Sequence, residues 1–292
     1  MELDRKERGP LMELEFAKLH GLGNDFVVAD DRARAIELTG AQVRRLCDRN
    51  FGVGADGVIL VRPSDDPACA AYMHYLNADG TLAQMCGNGV RCFAKYLVDR
   101  GLVPAGAREL VADTLSGPKP LRFEVDAEGK LVRATVDMGA PTLDPPAVPV
   151  RAAANAVSAQ GAEYVRDAPL ASPWGTFRFT CVSMGNPHAV CFVDDWDVLS
   201  DELFPEKTNV EFVAVGPRGL AMRVFERGCG ETLACGTGAC AVAVAASLTG
   251  RAGCENDVEL RGGTLHISWD DDGRVRMTGP ATESFNGKAV VA

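Results

Sequence analysis

The spacing of apolar and polar positions predicts two helices set among runs of strands. From Val90 to Val98 the apolar residues recur at i, i+3, i+4 and i+7, and Gly101 follows, as is typical of an amphipathic helix. The stretch Ala239–Ala246 is apolar on every side of a helix and is followed by Gly250, as expected of a helix buried in a domain core.

Between and after these helices, apolar and polar residues alternate in the manner of β-hairpins. The proline-rich segment from Pro141 to Pro149 is the predicted crossover between two domains. We therefore predict an α+β fold with two similar domains, each a mostly antiparallel sheet wrapped around a central apolar helix, and an active site in the cleft between them. The predicted hairpins pair residues 121–125 with 131–136 and residues 264–269 with 274–277.

The length of 292 residues and the 47% of apolar residues are sufficient for two hydrophobic cores. We predict an N-terminal domain of residues 13–137 plus 278–292 and a C-terminal domain of residues 138–277. The first strand-like pattern begins only at Leu14. Residues 1–12 are therefore predicted to form a disordered extension.

The net charge and the N-terminal sequence indicate which partners and which cellular location to expect. A net charge of −10 argues against nucleic acids and anionic membranes as partners. The sequence has no apolar run of about 20 residues and no apolar signal core after its charged N-terminus, so we expect a cytoplasmic protein without a membrane partner.

The cysteines and histidines do not have the spacing of a metal site. There are ten cysteines without a Cys-x-x-Cys pair and four scattered histidines, so no metal is predicted. With no secretion signal, a disulfide framework is not expected either. Most cysteines outside the repeated phrase described next should therefore be small, reduced core residues.

One phrase occurs twice, and each copy opens a predicted helix. Residues 81–89 read Thr-Leu-Ala-Gln-Met-Cys-Gly-Asn-Gly, and residues 232–238 read Thr-Leu-Ala-Cys-Gly-Thr-Gly. Cys86 and Cys235 thus stand at or just before a helix start. The free N–H groups and the positive helix end there favour an anion, so the thiol pKa, ordinarily about 8.5, can be lowered. The adjoining glycines allow the same N–H groups to hold a substrate carboxylate.

Other features repeat at matching distances. Gly-Asn turns that contain Asn24 and Asn186 each adjoin a strand-like stretch, and Asn77 and Glu226 each lie nine residues before a phrase cysteine. An internal duplication accounts for this pattern. Two thiols on opposite sides of one carbon can remove a proton from one face and deliver a proton to the other. The repeated cysteine therefore predicts a racemase or epimerase of a small molecule.

From about Phe16 to the last residues, the chain resembles the diaminopimelate epimerase family. Several of the matching phrases are long and unusual, and all occur in the same order. They are Gly21-Leu-Gly-Asn-Asp-Phe26, Gly52-Val-Gly-Ala-Asp-Gly57, Asn77-Ala-Asp-Gly80, Met85-Cys-Gly-Asn-Gly-Val-Arg-Cys92, Gly185-Asn-Pro-His188, Thr208-Asn-Val-Glu-Phe212, Glu226-Arg-Gly-Cys-Gly-Glu-Thr-Leu-Ala-Cys-Gly-Thr-Gly238 and Met277-Thr-Gly-Pro280.

The resemblance implies an enzyme without a cofactor that interconverts LL- and meso-2,6-diaminopimelate in lysine and peptidoglycan precursor synthesis. Cys86 and Cys235 would exchange the roles of thiolate base and thiol acid. Similar enzymes are often dimers, so a homodimer is expected. The substrate-binding residues implied by the resemblance are Asn24, Asn77, Gly87, Asn88, Asn186, Asn209, Glu226, Arg227, Gly236 and Thr237.

Two alternative functions stay open beside this interpretation, and three further residues are expected to have lesser roles or none at the site. A proline or hydroxyproline racemase or epimerase would use the same pair of cysteines, and a redox or binding protein would join them in a reversible disulfide. We expect His188 to lie near the site without being catalytic, and Asp56 to order its loop rather than touch substrate. Gly57 stands where some relatives carry glutamine, so no side-chain contact is assigned to it.

Overall fold

The computed structural model describes residues 11–172, 175–193, 209–217, 219–226 and 230–291. Within these residues the chain has the predicted α+β architecture, dominated by strands. It forms two compact units, which we call unit 1, up to Val136 and again from Gly279, and unit 2, Asp137–Thr278.

The described residues form three helices and nineteen strands. The helices are α1 (Gly40–Cys47), α2 (Gly87–Asp99) and α3 (Gly236–Leu248). The strands are β1 (Met12–Gly21), β2 (Asn24–Asp30), β3 (Gly57–Arg62), β4 (Ala71–Asn77), β5 (Glu109–Asp113), β6 (Lys119–Val125), β7 (Leu131–Gly139), β8 (Ala156–Val157), β9 (Glu163–Tyr164), β10 (Ala168–Ser172), β11 (Gly175–Ser183), β12 (Pro187–Phe192), β13 (Asn209–Gly216), β14 (Gly219–Glu226), β15 (Gly230–Thr232), β16 (Glu255–Leu260), β17 (Gly263–Trp269), β18 (Val275–Pro280) and β19 (Thr282–Val291).

The two units repeat one order of strand pairings, which agrees with the predicted duplication. In unit 1, β1 and β2 are antiparallel, β2 and β3 parallel, β3 and β4 antiparallel, β4 and β5 parallel, and β5, β6 and β7 antiparallel. In unit 2 the same order runs through β11, β12, β13, β14, β16, β17 and β18. Unit 1 adds β19 against β1, and unit 2 adds β10 and β15.

Each unit has one long helix in its core. In unit 1, α2 packs against β1, β2, β3, β5 and β19; in unit 2, α3 packs against β11, β12, β13, β14, β16 and β17. As predicted, α3 is buried from Ala239 to Ala246. Both helices end before a glycine with positive φ, Gly101 at +65° and Gly250 at +72°, a conformation that costs other residues more.

Helix α2 is amphipathic in sequence, as predicted, but its polar residues are buried together with its apolar side. Asn88, Arg91 and Lys95 are all buried. Arg91 donates to the Pro280 carbonyl at 3.1 Å, and Lys95 donates to the Leu131 carbonyl at 2.7 Å. Backbone oxygens from distant segments therefore replace the water that a solvent-facing side would have contacted.

Both predicted hairpins are present, as β6–β7 and β17–β18. The crossover prediction is wrong in its position, because unit 1 ends at Val136, inside β7. The proline-rich segment belongs to unit 2, where Leu143 and Val148 are buried.

Helix α1 was not predicted, although Thr39 and Gln42 form a capping box at its start.

All described cysteines carry free thiols. Five of those outside the repeated phrase are buried, whereas Cys69 is half-buried and Cys254 is exposed; Cys229 lies outside the described residues. None of the helices in the described part of the chain is long and apolar enough to span a membrane. The same residues contain no group of three or more metal-ligating side chains placed to hold an ion.

Candidate active site

Both phrase cysteines are the N-cap residues of their helices, as predicted. Cys86 precedes α2 and Cys235 precedes α3, each with an extended backbone. Neither helix has an acidic residue in its first turn. The positive end of each helix dipole is therefore left without a carboxylate of its own helix, as suits a site for an anionic ligand.

In unit 1, Asn24 lies beside the cysteine. The turn between β1 and β2 holds Leu22 at φ +58° and Gly23 at φ +86°, and Asn24 begins β2 directly after it. The Cys86 thiol donates to Asn24 Oδ1 at 3.5 Å, and Asn88 Nδ2 donates to the same oxygen at 3.1 Å. Three predicted site residues thus meet around one amide oxygen.

Asn77, the last residue of β4, is held by the loop that leads towards Cys86. Its Nδ2 donates to Thr81 Oγ1 at 3.0 Å, and its backbone N–H donates to the Thr81 carbonyl at 2.9 Å. Across the sheet, Gly57 pairs with Asn77. A Cβ at Gly57 would lie 2.5 Å from Tyr75 Cε2 and 2.6 Å from the Leu76 carbonyl oxygen, which explains the lack of a side chain there.

In unit 2, a backbone N–H group in the first turn of α3 donates a hydrogen bond to the sulfur of Cys235. Cys235 is buried, and its Sγ accepts from the Gly238 N–H at 3.3 Å and lies 3.4 Å from Thr237 Oγ1. A Cβ on Gly238 would lie 2.8 Å from Glu211 Oε1 and 3.3 Å from the sulfur. Only glycine therefore fits at this position without displacing its neighbours.

Glu226, the last residue of β14, accepts a short hydrogen bond from Thr232 Oγ1. Burial raises the pKa of Glu226, and interactions with Thr232 and Cys235 offset only part of the shift. The pKa of Cys235 is raised well above its ordinary value, first by burial and then by the negative charges of Glu226 and Glu211. The expectation of a lowered thiol pKa at a helix start therefore does not hold for Cys235.

Behind Cys235 lies a buried pair formed by His188, which the sequence placed near the site, and Glu211, which it did not assign to the site. Glu211 Oε1 and His188 Nδ1 are 2.6 Å apart, and both side chains are fully buried. His188 Nε2 lies 3.2 Å from Oδ1 of Asn186, a predicted substrate-binding residue. Among the described residues, Glu211 Oε2 has no hydrogen-bond partner. The signal for Glu211 was present in the phrase Asn-Val-Glu-Phe, where only Asn209 was assigned a role.

The predicted residues thus fall into two groups, one in each unit. Unit 1 holds Asn24, Asn77, Cys86, Gly87 and Asn88 around the start of α2; unit 2 holds Asn186, Asn209, Glu226, Cys235, Gly236 and Thr237. Asn209 begins β13 and pairs with His188 of β12. Arg227 lies outside the described residues, and the catalytic and binding roles of the others remain predictions.

The two repeated units define the class of fold. The chain is similar to the crystal structure of a hydroxyproline epimerase from Agrobacterium vitis, with a TM-score of 0.70 and 14% sequence identity. The match covers 96% of this chain and 93% of that one. At this low identity the likeness shows the two-domain epimerase fold alone.

The chain belongs to the diaminopimelate epimerase family. The family described as diaminopimelate epimerase matches residues 16–143 and 180–283. The diaminopimelate epimerase of Leptospira biflexa is 42% identical over 291 residues, which covers 96% of this chain and 100% of that protein. The diaminopimelate epimerase of Desulfitobacterium hafniense is 46% identical over 288 residues, covering 94% and 97%.

Replacement of Glu226 by glutamine should make Cys235 react with iodoacetamide at lower pH. Deprotonation of Cys235 places a second negative charge beside the Glu226 carboxylate, so removing that charge favours the thiolate and lowers the thiol pKa. Burial still keeps this pKa high. The pH dependence of alkylation, followed on the Cys235 peptide by mass spectrometry, measures the shift.

Glu231→Gln is the matched control, because Glu231 is paired with Arg223 in a 2.7 Å ion pair and its charge is not among the causes of the Cys235 shift. An unchanged profile in Glu226→Gln would show that its charge does not act on the thiol.

Proposed function

We propose that this protein is a diaminopimelate epimerase that interconverts LL- and meso-2,6-diaminopimelate. The observation that carries the proposal is the repeated helix start with a cysteine at the N-cap, Cys86 in unit 1 and Cys235 in unit 2, in a chain of this family. The product is a precursor for lysine and peptidoglycan synthesis. Proline or hydroxyproline epimerisation has less support, because the likeness to the hydroxyproline epimerase is one of fold.

In the proposed reaction, one proton leaves the α-carbon of the substrate and another proton is added to its opposite face. A thiolate removes the α-hydrogen as a proton and becomes a thiol, and the electron pair of the broken C–H bond stays on the carbon. The second cysteine, as thiol, delivers its proton to the opposite face and becomes a thiolate. The reverse reaction exchanges the two roles, so no external acid or base is consumed.

The carbanion needs stabilisation, because an amino-acid α-hydrogen is a very weak acid. We assign this stabilisation to the substrate's own ammonium group and to the backbone N–H groups at the starts of α2 and α3. Gly87-Asn88 and Gly236-Thr237 would supply these donors to the carboxylate at the reacting carbon. This mechanism uses no cofactor.

The remaining polar residues suit the distal end of the substrate, which is a second amino-acid centre. Glu226 can accept from an ammonium group, and Arg227 is the natural partner for a carboxylate. The amides of Asn77, Asn186 and Asn209 can donate or accept as required. A substrate without a second charged centre, such as proline, would leave these groups unpaired.

The test is turnover in D₂O with LL- and meso-diaminopimelate as separate substrates. Either isomer should yield the other with deuterium at the inverted α-carbon, because the delivering thiol exchanges with solvent. Turnover of proline with none of diaminopimelate would favour the alternative enzyme. Absence of α-hydrogen exchange with every substrate would favour the redox or binding protein.

We further propose a cytoplasmic homodimer. The net charge of −10 and the small charged substrate are compatible with a cytoplasmic enzyme. Sedimentation equilibrium across a range of protein concentrations would measure the assembly, and a monomer at all concentrations would contradict this part of the proposal.

A further inference from the structure

A chain of hydrogen bonds in unit 1 fixes which end of the Asn24 amide faces Cys86. It runs from Arg91 through Asn88 and Asn24 to Asp56. A guanidinium can only donate hydrogen bonds, and an ionised carboxylate can only accept them. The two charged ends therefore determine which group donates and which accepts in every hydrogen bond of the series.

At the first end, Arg91 Nη2 donates to Asn88 Oδ1 at 2.8 Å. This leaves Asn88 Nδ2 to donate to Asn24 Oδ1, at 3.1 Å. The arrangement is rigid, because Arg91 is fully buried and Asn88 is 1% exposed. Gly21 leaves room for it: a Cβ there would lie 2.9 Å from Arg91 Nη2 and 3.3 Å from Asn88 Cβ.

At the other end, Asp56 Oδ2 accepts from Asn24 Nδ2 at 2.7 Å and from the Asp25 backbone N–H at 3.1 Å. Asp56 Oδ1 pairs with Arg49 Nη2 at 2.7 Å. If the Asn24 amide turned over, its oxygen would face the Asp56 carboxylate and its nitrogen would face the Asn88 nitrogen. Both new contacts are repulsive, so a single orientation is favoured from each side.

The orientation of the Asn24 amide determines which of its atoms faces the Cys86 thiol. The group that faces Cys86 Sγ, at 3.5 Å, is Asn24 Oδ1, which accepts from an S–H group and repels a thiolate. We propose that Asp56 is a positioning residue that, through Asn24, holds Cys86 as a thiol in the ligand-free protein. Given the proposed function, Cys86 in this form can deliver a proton but cannot remove one.

The corresponding contact in unit 2 is chemically different. The carboxylate that acts on the Cys235 thiol belongs to Glu226 and can take up a proton, whereas the Asn24 amide cannot. The repeated helix starts therefore have unlike neighbours. Burial and negative charge favour the thiol form of Cys235, whereas a fixed hydrogen-bond acceptor favours the thiol form of Cys86.

The test compares alkylation of Cys86 in the ligand-free wild-type protein and in Asp56→Asn at pH 7.5. Asparagine at position 56 can donate as well as accept, so the Asn24 amide loses one of its two constraints. The rate of Cys86 alkylation by iodoacetamide should rise by about threefold, and by about tenfold or more when Asn88→Ala removes the other constraint. Cys235 in the same molecules is the internal reference.

Asp25→Asn is the matched control. Asp25 belongs to the same charged group, but its carboxylate pairs with Arg49 Nη2 at 2.7 Å and with Lys18 Nζ at 2.6 Å rather than with Asn24. This variant removes the same charge without freeing the amide. An equal rise in Asp25→Asn, or no rise in Asp56→Asn, would overturn the proposal.

A second measurement uses no variant of the hydrogen-bond chain. The Raman difference between the wild-type protein and Cys86→Ala should contain an S–H stretching band shifted by hydrogen bonding, and a difference spectrum without an S–H band would overturn the proposal. Both measurements omit diaminopimelate. A failure of the proposed function would appear in the turnover experiment and leave these results unchanged.

Discussion

Alanine at Cys86 or at Cys235 is expected to lower the rate of epimerisation by about 10²- to 10⁴-fold, the usual contribution of a positioned acid or base. Each variant keeps one thiol and so can act on only one face of the α-carbon. The measurement is the formation of deuterium-labelled meso product from LL-diaminopimelate in D₂O, and the reverse reaction.

The same helices supply controls for this experiment. Cys92 of α2 and Cys240 of α3 are both fully buried, and burial raises the pKa of Cys92 to about 12. Cys92→Ala and Cys240→Ala should lose only packing and retain near-normal turnover. If the control variants lost as much activity as the N-cap variants, the loss would reflect damage to the helices rather than the absence of an acid or base.

Removal of the Arg91 guanidinium is expected to give the largest loss of stability. Arg91→Ala would leave a cavity inside unit 1 and would deprive Asn88 Oδ1 and the Pro280 carbonyl of their donor. Such losses typically cost about 3–5 kcal/mol in the free energy of unfolding. Urea denaturation followed by tryptophan fluorescence and circular dichroism would measure the change.

Arg32→Ala provides the comparison for Arg91→Ala. Arg32 forms a 2.7 Å ion pair with Asp30, but its side chain is 55% exposed. Exposed pairs of this kind typically contribute less than about 1 kcal/mol. A similar small loss in Arg91→Ala would show that water replaces the guanidinium without cost.

Local sequence signals were sufficient for the elements that begin or end at turn residues. Helices α2 and α3 begin within Cys-Gly-x-Gly phrases, and their ends precede Gly101 and Gly250. The β6–β7 and β17–β18 hairpins surround turns rich in aspartate and glycine. Helix α1 was missed although Thr39 and Gln42 carry a capping signal, because its eight residues are too few to repeat an apolar pattern over several turns.

Contacts between residues that are far apart in the sequence could not be predicted from the spacing of residues along it. The apolar periodicity of α2 does not show that Asn88, Arg91 and Lys95 are buried, because only the fold brings the Pro280 carbonyl, 189 residues away, to Arg91. The role of Asp56 has the same origin, since its contact with Asn24 depends on the alignment of β2 and β3. The cysteines and amides around the helix starts were predicted from the sequence, whereas Glu211 and the raised pKa of Cys235 depend on burial.

The choice of cysteine at two helix N-caps has a thermodynamic consequence. Serine, threonine, asparagine and aspartate are the preferred residues at this position, and their hydrogen bond to the first turn is worth about 0.5–2 kcal/mol. Cys86 makes no side-chain capping bond, and Cys235 Sγ only accepts a 3.3 Å hydrogen bond from the Gly238 N–H. Under the proposed function, stability and activity are opposed at these two positions: selection for a more heat-resistant protein would favour substitutions that remove the proposed acid and base.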